Sequence, residues 1–209
     1  MDKIKLGVLV GGTSIEREVS KKSCENLLAN LDENKYDITV YHLPADGNTE
    51  WAKNIISNPP QIVLSALHGG NGENGSIQGF LHCLNIPYIG SKVLSSAICM
   101  NKAMAKTVMK ANHIQVPDHV FVMRGVDFSQ YEESIKLMGF PLIVKPNRGG
   151  SSIGVIVARN MEDIHYGIKN IMETYDDDVL IEKFIDGKEI NCCVLQGENG
   201  SRGYGCIRC

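Results

Sequence analysis

Apolar, β-type runs, two of them cut off by glycine-rich breaks, alternate along this chain with stretches of helical period. Residues 4–10 are nearly continuous β-type sequence, broken by Gly11-Gly12-Thr13-Ser14. Residues 36–43 and 62–67 read as a second and a third strand, the latter ending on His68-Gly69-Gly70-Asn71-Gly72. A helix is expected after Ser14, a fair N-cap, with Val19, Cys24, Leu27 and Leu28 roughly on one face. A second helix is expected at 76–84 and a short strand at 87–90. Strands alternating with helices predict a parallel, doubly wound sheet. In such a sheet ligands sit beyond the C-terminal strand ends, where the glycine breaks fall.

The second half reads differently. The spacing predicts one helix from Ser95 to about Asn112, with Ile98, Ala105, Val108 and Met109 as its apolar stripe and Lys102, Lys106 and Lys110 as a solvated face. A strand at 119–123 and a polar helix at 129–138 follow. A buried run at 141–144 then ends on Lys145, and a second β run occupies 153–158. Asn160 caps a helix in which Ile164, Ile168, Ile171 and Met172 recur at three- and four-residue spacing. Residues 179–185 and 189–195 predict a hairpin about Asp186-Gly187. Residues 200–209 hold no recognisable element, and the end reads as cut rather than finished. This half is expected to be α+β with antiparallel strands. The division is placed at 1–94, a Rossmann-like substrate domain, and 95–209, a central lobe that is C-terminally incomplete.

Composition narrows the partners. With 209 residues, 43% of them hydrophobic, the chain can bury one sizeable core or two small ones. A net charge of −3 gives no reason to expect nucleic acid or an anionic membrane. No apolar run is long enough to span a bilayer and the N-terminus has no signal-peptide design, so a cytoplasmic protein is expected. Seven cysteines, odd in number and mostly within apolar segments, read as reduced core thiols. Cys206-Ile207-Arg208-Cys209 spells C-x-x-C but has no second ligand pair.

Between the runs at 141–144 and 153–158 lies Lys145-Pro146-Asn147-Arg148-Gly149-Gly150-Ser151-Ser152. Glycines let backbone N–H groups point at one spot, and a lysine with two hydroxyls suits that spot to phosphate oxygens. A solvated Gly/Ser turn would be written with the same residues. No Gly-Lys-Ser/Thr leads into a helix, so this is not a Walker loop. G-x-G-x-x-G is absent as well, which disfavours NAD.

Several separated motifs coincide with one family. They are Gly11-Gly12-Thr13-Ser14-Ile15-Glu16-Arg17-Glu18-Val19-Ser20; Ala66-Leu67-His68-Gly69 with Gly72-Glu73-Asn74-Gly75-Ser76-Ile77-Gln78-Gly79; Pro87-Tyr88-Ile89-Gly90-Ser91; Lys145-Pro146 with Gly150-Ser151-Ser152-Ile153-Gly154; and Glu182-Lys183-Phe184-Ile185 with Gly187 and Glu189. In this order, the chain resembles the D-alanine–D-alanine ligases of the ATP-grasp superfamily over nearly its whole length. The resemblance implies an ADP-forming ligase for peptidoglycan precursor synthesis, in which ATP phosphorylates one D-alanine and a second D-alanine attacks the acyl phosphate. It implies Glu16 and His68 as partners of the first D-alanine, and Lys102 and Lys145 as phosphate ligands. It makes Gly150, Ser151 and Ser152 part of a mobile closing loop, with Ser151 tied to Glu16. It assigns Glu182, Lys183, Phe184 and Ile185 to adenine and Glu189 to ribose. Mg2+ (or Mn2+) is implied, but its ligands are expected in a C-terminal part not present here. Glu189-Ile190-Asn191 lies on the nucleotide edge and is rejected as the metal site. Asn101 stands where an aspartate is usual. A homodimer through the N-terminal domain is also implied. The alternatives are a non-catalytic ATP- or D-alanine-binding protein, or a ligase that takes D-serine or D-lactate as its second substrate.

Overall fold

The computed structural model describes residues 2–197 and 200–208. Strand β1 (Ile4–Gly11) forms the centre of a three-stranded sheet, with α1 (Arg17–Asn30) after it, then β2 (Tyr36–Leu43), α2 (Glu50–Ser57) and β3 (Ile62–Ser65). The order is β2-β1-β3 and both pairings are parallel. A parallel sheet covered on both faces needs apolar residues in succession, which is why β1 reads as a run and not as an alternation. Leu6, Val8 and Val10 face Cys24 of α1. Leu9 faces the other way, against Tyr41, Ile55 of α2, and Ile77 and Leu81 of α3 (Ser76–Cys83).

Three expectations for this half need correction. Ser14 does not cap α1: its Oγ accepts from the Glu16 amide at 3.1 Å, and the helix begins at Arg17 without a side-chain cap. Val19 is 48% exposed, whereas Ser20 is buried and its Oγ accepts from the Gly11 amide at 2.8 Å. The helix face is therefore rotated toward the strand end it must satisfy. Residues 87–90 form only a single bridge, Tyr88 to Val63, because Pro87 offers no N–H to a ladder. Helix α2 was not expected at all.

The helix expected from 95 to 112 is two, α4 (Val93–Met100) and α5 (Lys102–Ala111). Asn101 breaks it: its backbone is extended (φ −98°, ψ 100°), and its Oδ1 accepts from the Met104 amide at 3.0 Å as the cap of α5. The 94/95 division lies inside the first turn of α4. Val108 and Met109 are each 39% exposed, so the expected apolar stripe is not buried.

A second sheet has the order β4-β7-β5-β6, from β4 (His119–Val122), β5 (Leu142–Pro146), β6 (Ile156–Ala158) and β7 (Val179–Lys183). All its pairings are antiparallel. Helices α6 (Ser129–Met138) and α7 (Met161–Thr174) pack on it through Ile135, Ile164, Ile168 and Ile171. Asn160 caps α7 as expected, accepting from the Asp163 amide at 2.9 Å. Gly167 lets α7 lie close on β5, since a Cβ there would sit 2.9 Å from Val144 Cγ1.

The expected hairpin of 179–185 with 189–195 does not form. Val179, Leu180, Ile181 and Glu182 are all buried, which marks a central strand with a neighbour on each side, and β7 lies between β4 and β5. Strand β8 (Ile190–Gly197) pairs instead with β9 (Gly200–Arg208), the segment expected to hold no element. The strand expected at 153–158 shortens to β6, because Ser151 (φ 50°), Ser152 (φ 57°) and Gly154 (φ 73°) form a left-handed turn.

The cysteines also depart from expectation. Cys24 is buried, but Cys83, Cys99, Cys192 and Cys193 are exposed free thiols. The C-x-x-C reading rests on the Cys206 side chain and on Cys209, which lie outside the described residues. Among the described residues, no helix is long and apolar enough to cross a membrane.

Candidate active site

The glycine breaks of the first sheet and the β5–β6 loop of the second meet in one place. Glu16 stands at the start of α1, and its carboxylate lies directly on the Gly69 backbone. A Cβ at Gly69 would collide with Glu16 Oε2 and come within 2.7 Å of Ser14 Oγ. From the opposite side Ser151 Oγ donates to Glu16 Oε1. Gly150 also lies beside that carboxylate, where an added Cβ would be in ordinary contact at 3.6 Å from Oε2. The contact closes one side of a cavity of about 390 Å³ lined by Glu16, Gly69, Arg148, Gly150, Tyr175 and Asp177.

His68 does not share that cavity. Its Nε2 lies 2.8 Å from Ser23 Oγ on α1, and the ring lines a separate hollow of about 150 Å³ with Thr13, Asn48 and Trp51. Ser14 and Gly69 border both hollows. Glu16 and His68, expected as a pair, are thus brought to neighbouring hollows.

The lysines are spoken for in ways their spacing does not reveal. Lys102 Nζ donates to the Pro146 carbonyl at 3.0 Å and to the Gly149 carbonyl, and lies 3.4 Å from that of Asn147. Burial, and then the charge of Lys145, lower its pKa. Its ammonium therefore clamps the entrance of the loop. Gly154 closes the other end, where a Cβ would sit 2.9 Å from both Pro146 and Tyr175.

Lys145 Nζ ion-pairs with Glu182 Oε1. In the β5–β7 ladder Ile143 faces Glu182 and Lys145 faces Leu180, so the pair is a diagonal one on a single sheet face. Lys106, one turn beyond Lys102, reaches Glu182 Oε2 at 2.9 Å with only 12% of its side chain exposed. At that distance Lys106 is a second ammonium partner of the same carboxylate, on the oxygen that Lys145 does not use. Burial raises the Glu182 pKa, but the two ammonium groups outweigh it and the carboxyl titrates below its ordinary value.

The other expected residues are exposed. Lys183 Nζ donates to the Met138 carbonyl at 2.6 Å, at the end of α6. Phe184 and Ile185 are 37% and 65% exposed, and Gly150, Ser152 and Glu189 are exposed as well.

Sequence reasoning passed over Lys106, Asn147 and Asp177. Asn147 is wholly buried; it donates to Asn101 Oδ1 at 3.0 Å and accepts from the Ala103 amide at 3.0 Å. It joins the end of β5 to the break between α4 and α5. Asp177 accepts from the Arg148 amide at 2.6 Å and sets the far wall of the cavity. Only Lys106 had a usable signal, its four-residue offset from Lys102.

Two ammonium groups on the Glu182 carboxylate, with that of Lys102 at the entrance of a glycine-rich loop beside them, are an arrangement suited to an anion. Among the described residues no three His, Cys, Asp or Glu side chains gather as a metal site.

Comparison with known proteins agrees with this geometry. The family described as D-ala D-ala ligase N-terminus matches residues 49–91, and that described as D-ala D-ala ligase C-terminus matches residues 108–207. A D-alanine–D-alanine ligase of Bacillus anthracis is 40% identical over 196 residues, covering 93% of this chain and 62% of that protein. D-alanine–D-alanine ligase B of Clostridium perfringens is 37% identical over 206 residues, again covering 93% and 62%. The chain thus spans about 62% of the length of these relatives. Among solved structures, the Bacillus anthracis ligase complexed with ATP superposes with a TM-score of 0.83 at 34% identity, covering 98% of this chain and 65% of that one. The D-Ala:D-Ser ligase from Enterococcus faecalis gives 0.84 at 26% identity, covering 99% and 70%.

Proposed function

The chain belongs to the D-alanine–D-alanine ligase family, and from that premise we propose that it holds the first-substrate and nucleotide sites of an ATP-dependent ligase. In the proposed reaction the carboxylate of one D-alanine takes the γ-phosphoryl group and ADP leaves. The amine of a second D-alanine then displaces phosphate, giving D-alanyl-D-alanine for peptidoglycan precursors. The observation that carries this reading is the Ser151–Glu16 hydrogen bond, which brings a phosphate-type loop onto an acid at a strand end.

The residues divide the work. Glu16 pairs with the ammonium group of the first D-alanine, and His68, held by Ser23, fixes the turn at 68–70 behind it. Lys145 is the mobile cation for the phosphates. Lys102 holds the loop entrance, so that Gly150, Ser151 and Ser152 bring their N–H groups over the transferring phosphoryl and exclude water from the acyl phosphate. Glu182 to Ile185 border adenine, with Phe184 and Ile185 offering apolar surface to the base, and Glu189 takes the ribose hydroxyls. On this reading residues 1–94 serve D-alanine and residues 95–209 serve ATP. Mg2+ would neutralise charge on the phosphoryl group, but the described residues offer no ligand set for it. A cytoplasmic homodimer joined through residues 1–94 completes the proposal, and light scattering tests the dimer.

The test is ATP- and Mg2+-dependent phosphate release with D-alanine. It compares this chain with the same chain extended by the part of the Bacillus anthracis relative that it does not cover. Release by the extended chain, at least about a hundredfold faster than by the chain alone, is expected, because electrostatic elements of this kind are each worth ~10²–10³ in rate. An extended chain that folds but releases no phosphate overturns the ligase reading. D-serine and D-lactate added beside D-alanine identify the second substrate.

A further inference from the structure

Lys145 has two claims on it. It is ion-paired with Glu182, and on the function proposed above it must also meet a phosphate. Leaving Glu182 would strand a carboxylate whose side chain is 10% exposed, and an unpaired buried charge is costly. The second ammonium resolves the conflict. Lys106 contacts the other oxygen of the same carboxylate at 2.9 Å, from a different element, and is itself nearly buried. It sits on α5, whose start is pinned to the loop through Lys102 and Asn147, so it does not depend on Lys145 for its position.

We infer that Lys106 is a positioning residue of the nucleotide site: it keeps Glu182 paired when Lys145 turns from that carboxylate to a phosphate. The contact is made to the oxygen that Lys145 does not use, at charge-assisted hydrogen-bond distance, so it can persist when Lys145 departs. A merely structural Lys106 would stabilise the fold without biasing Lys145.

A mutant cycle read by calorimetric titration with ATP tests this inference, which rests on the nucleotide reading. Lys106→Met is expected to weaken ATP binding tenfold or more, and Lys106→Arg to keep it within about threefold. In a Glu182→Gln background, where no charge can be stranded, adding Lys106→Met should cost less than twofold. Full affinity in Lys106→Met, or the same loss in both backgrounds, overturns the inference. A wild-type chain that binds no ATP takes down the nucleotide reading itself. Should Glu182→Gln alone abolish binding, lysine signals of ε-¹³C-labelled protein decide, assigned with Lys106→Arg and Lys145→Arg. On adding ATP the Lys145 signal must move while that of Lys106 stays near its position in the ATP-free protein. Movement of both away from it, or of neither, overturns the inference.

Discussion

Ser151 donates a hydrogen bond to Glu16 although 135 residues separate them in the chain. It is the contact through which the loop of the antiparallel sheet touches the strand ends of the parallel one. Ser151→Ala should therefore loosen the loop more than the fold. Exchange of the amides at 149–154 is expected to rise several-fold, with global stability lowered by no more than about 1 kcal/mol, since a single net hydrogen bond is worth roughly that. Hydrogen exchange read by mass spectrometry decides; unchanged loop protection would show that the bond does not hold the loop down.

Lys145→Met removes one of two partners of Glu182 and the cation proposed for the phosphates. Lys106 remains, so the stability loss should fall below the roughly 3–5 kcal/mol of a fully broken buried pair, at about 1–3 kcal/mol. ATP affinity should drop at least tenfold. Urea unfolding and calorimetric titration measure the two effects separately, and undiminished affinity would end the phosphate role of Lys145.

Gly69→Ala probes the floor beneath Glu16. The backbone there has φ of +64°, and the new methyl group would meet both Glu16 Oε2 and Ser14 Oγ. A cost of about 2 kcal/mol is expected from strain and displacement together. A variant with unaltered thermal stability would mean that Glu16 does not rest on that turn.

Glu182 makes stability depend on pH in a stated direction. Its folded pKa lies below the ordinary carboxylate value, because Lys145 and Lys106 outweigh the opposing effect of burial. The unfolded chain therefore binds the proton first as pH falls. The contribution is fully present above the ordinary value of about 4.3 and is lost as pH drops through the lower folded one. Denaturant melts of wild type and Glu182→Gln between pH 7 and pH 3 should converge toward the acid end. A stability gap that does not change with pH would remove the ion pairs as its source.

Thiol labelling of the native protein should separate the cysteines. Cys24 is buried between α1 and β1, and burial first, then Glu25, raises its pKa. Cys83, Cys99, Cys192 and Cys193 are exposed. Maleimide with peptide mapping should modify these four well before Cys24, and after denaturation all seven cysteines should label without reductant. Early modification of Cys24, or fewer than seven free thiols, contradicts the expectation.

Where a segment's pattern reports its own surroundings, the sequence was readable. The run from Ile4 to Val10 implied two covered faces, and the spacing of Ile164, Ile168 and Ile171 implied one buried helix face; both are seen. The Ser151–Glu16 hydrogen bond could be anticipated only through the family resemblance. What failed was decided by partners distant in sequence. Asp186-Gly187 spells a hairpin turn, yet β7 takes β4 and β5 as neighbours and leaves β8 to β9. Asn101 looks like one polar residue in a helix until Asn147 is seen bonding its side chain. Lys106 looks solvated until Glu182 arrives from another strand. Helix α2 was missed because only Trp51 and Ile55, four residues apart, mark its inner face, too short a pattern to stand above its polar surroundings.

The clamp of Lys102 at one end of the loop, and the tight seat of Gly154 against Pro146 and Tyr175 at the other, limit how far the segment between them can travel. Residues 150–153 hang between the tethered positions 149 and 154, five steps of ~3.5 Å or roughly 18 Å of contour, so their crest can rise only about half of that. On the function proposed above, the loop would then be a shutter with a short throw, suited to sealing a pocket whose occupants are already seated.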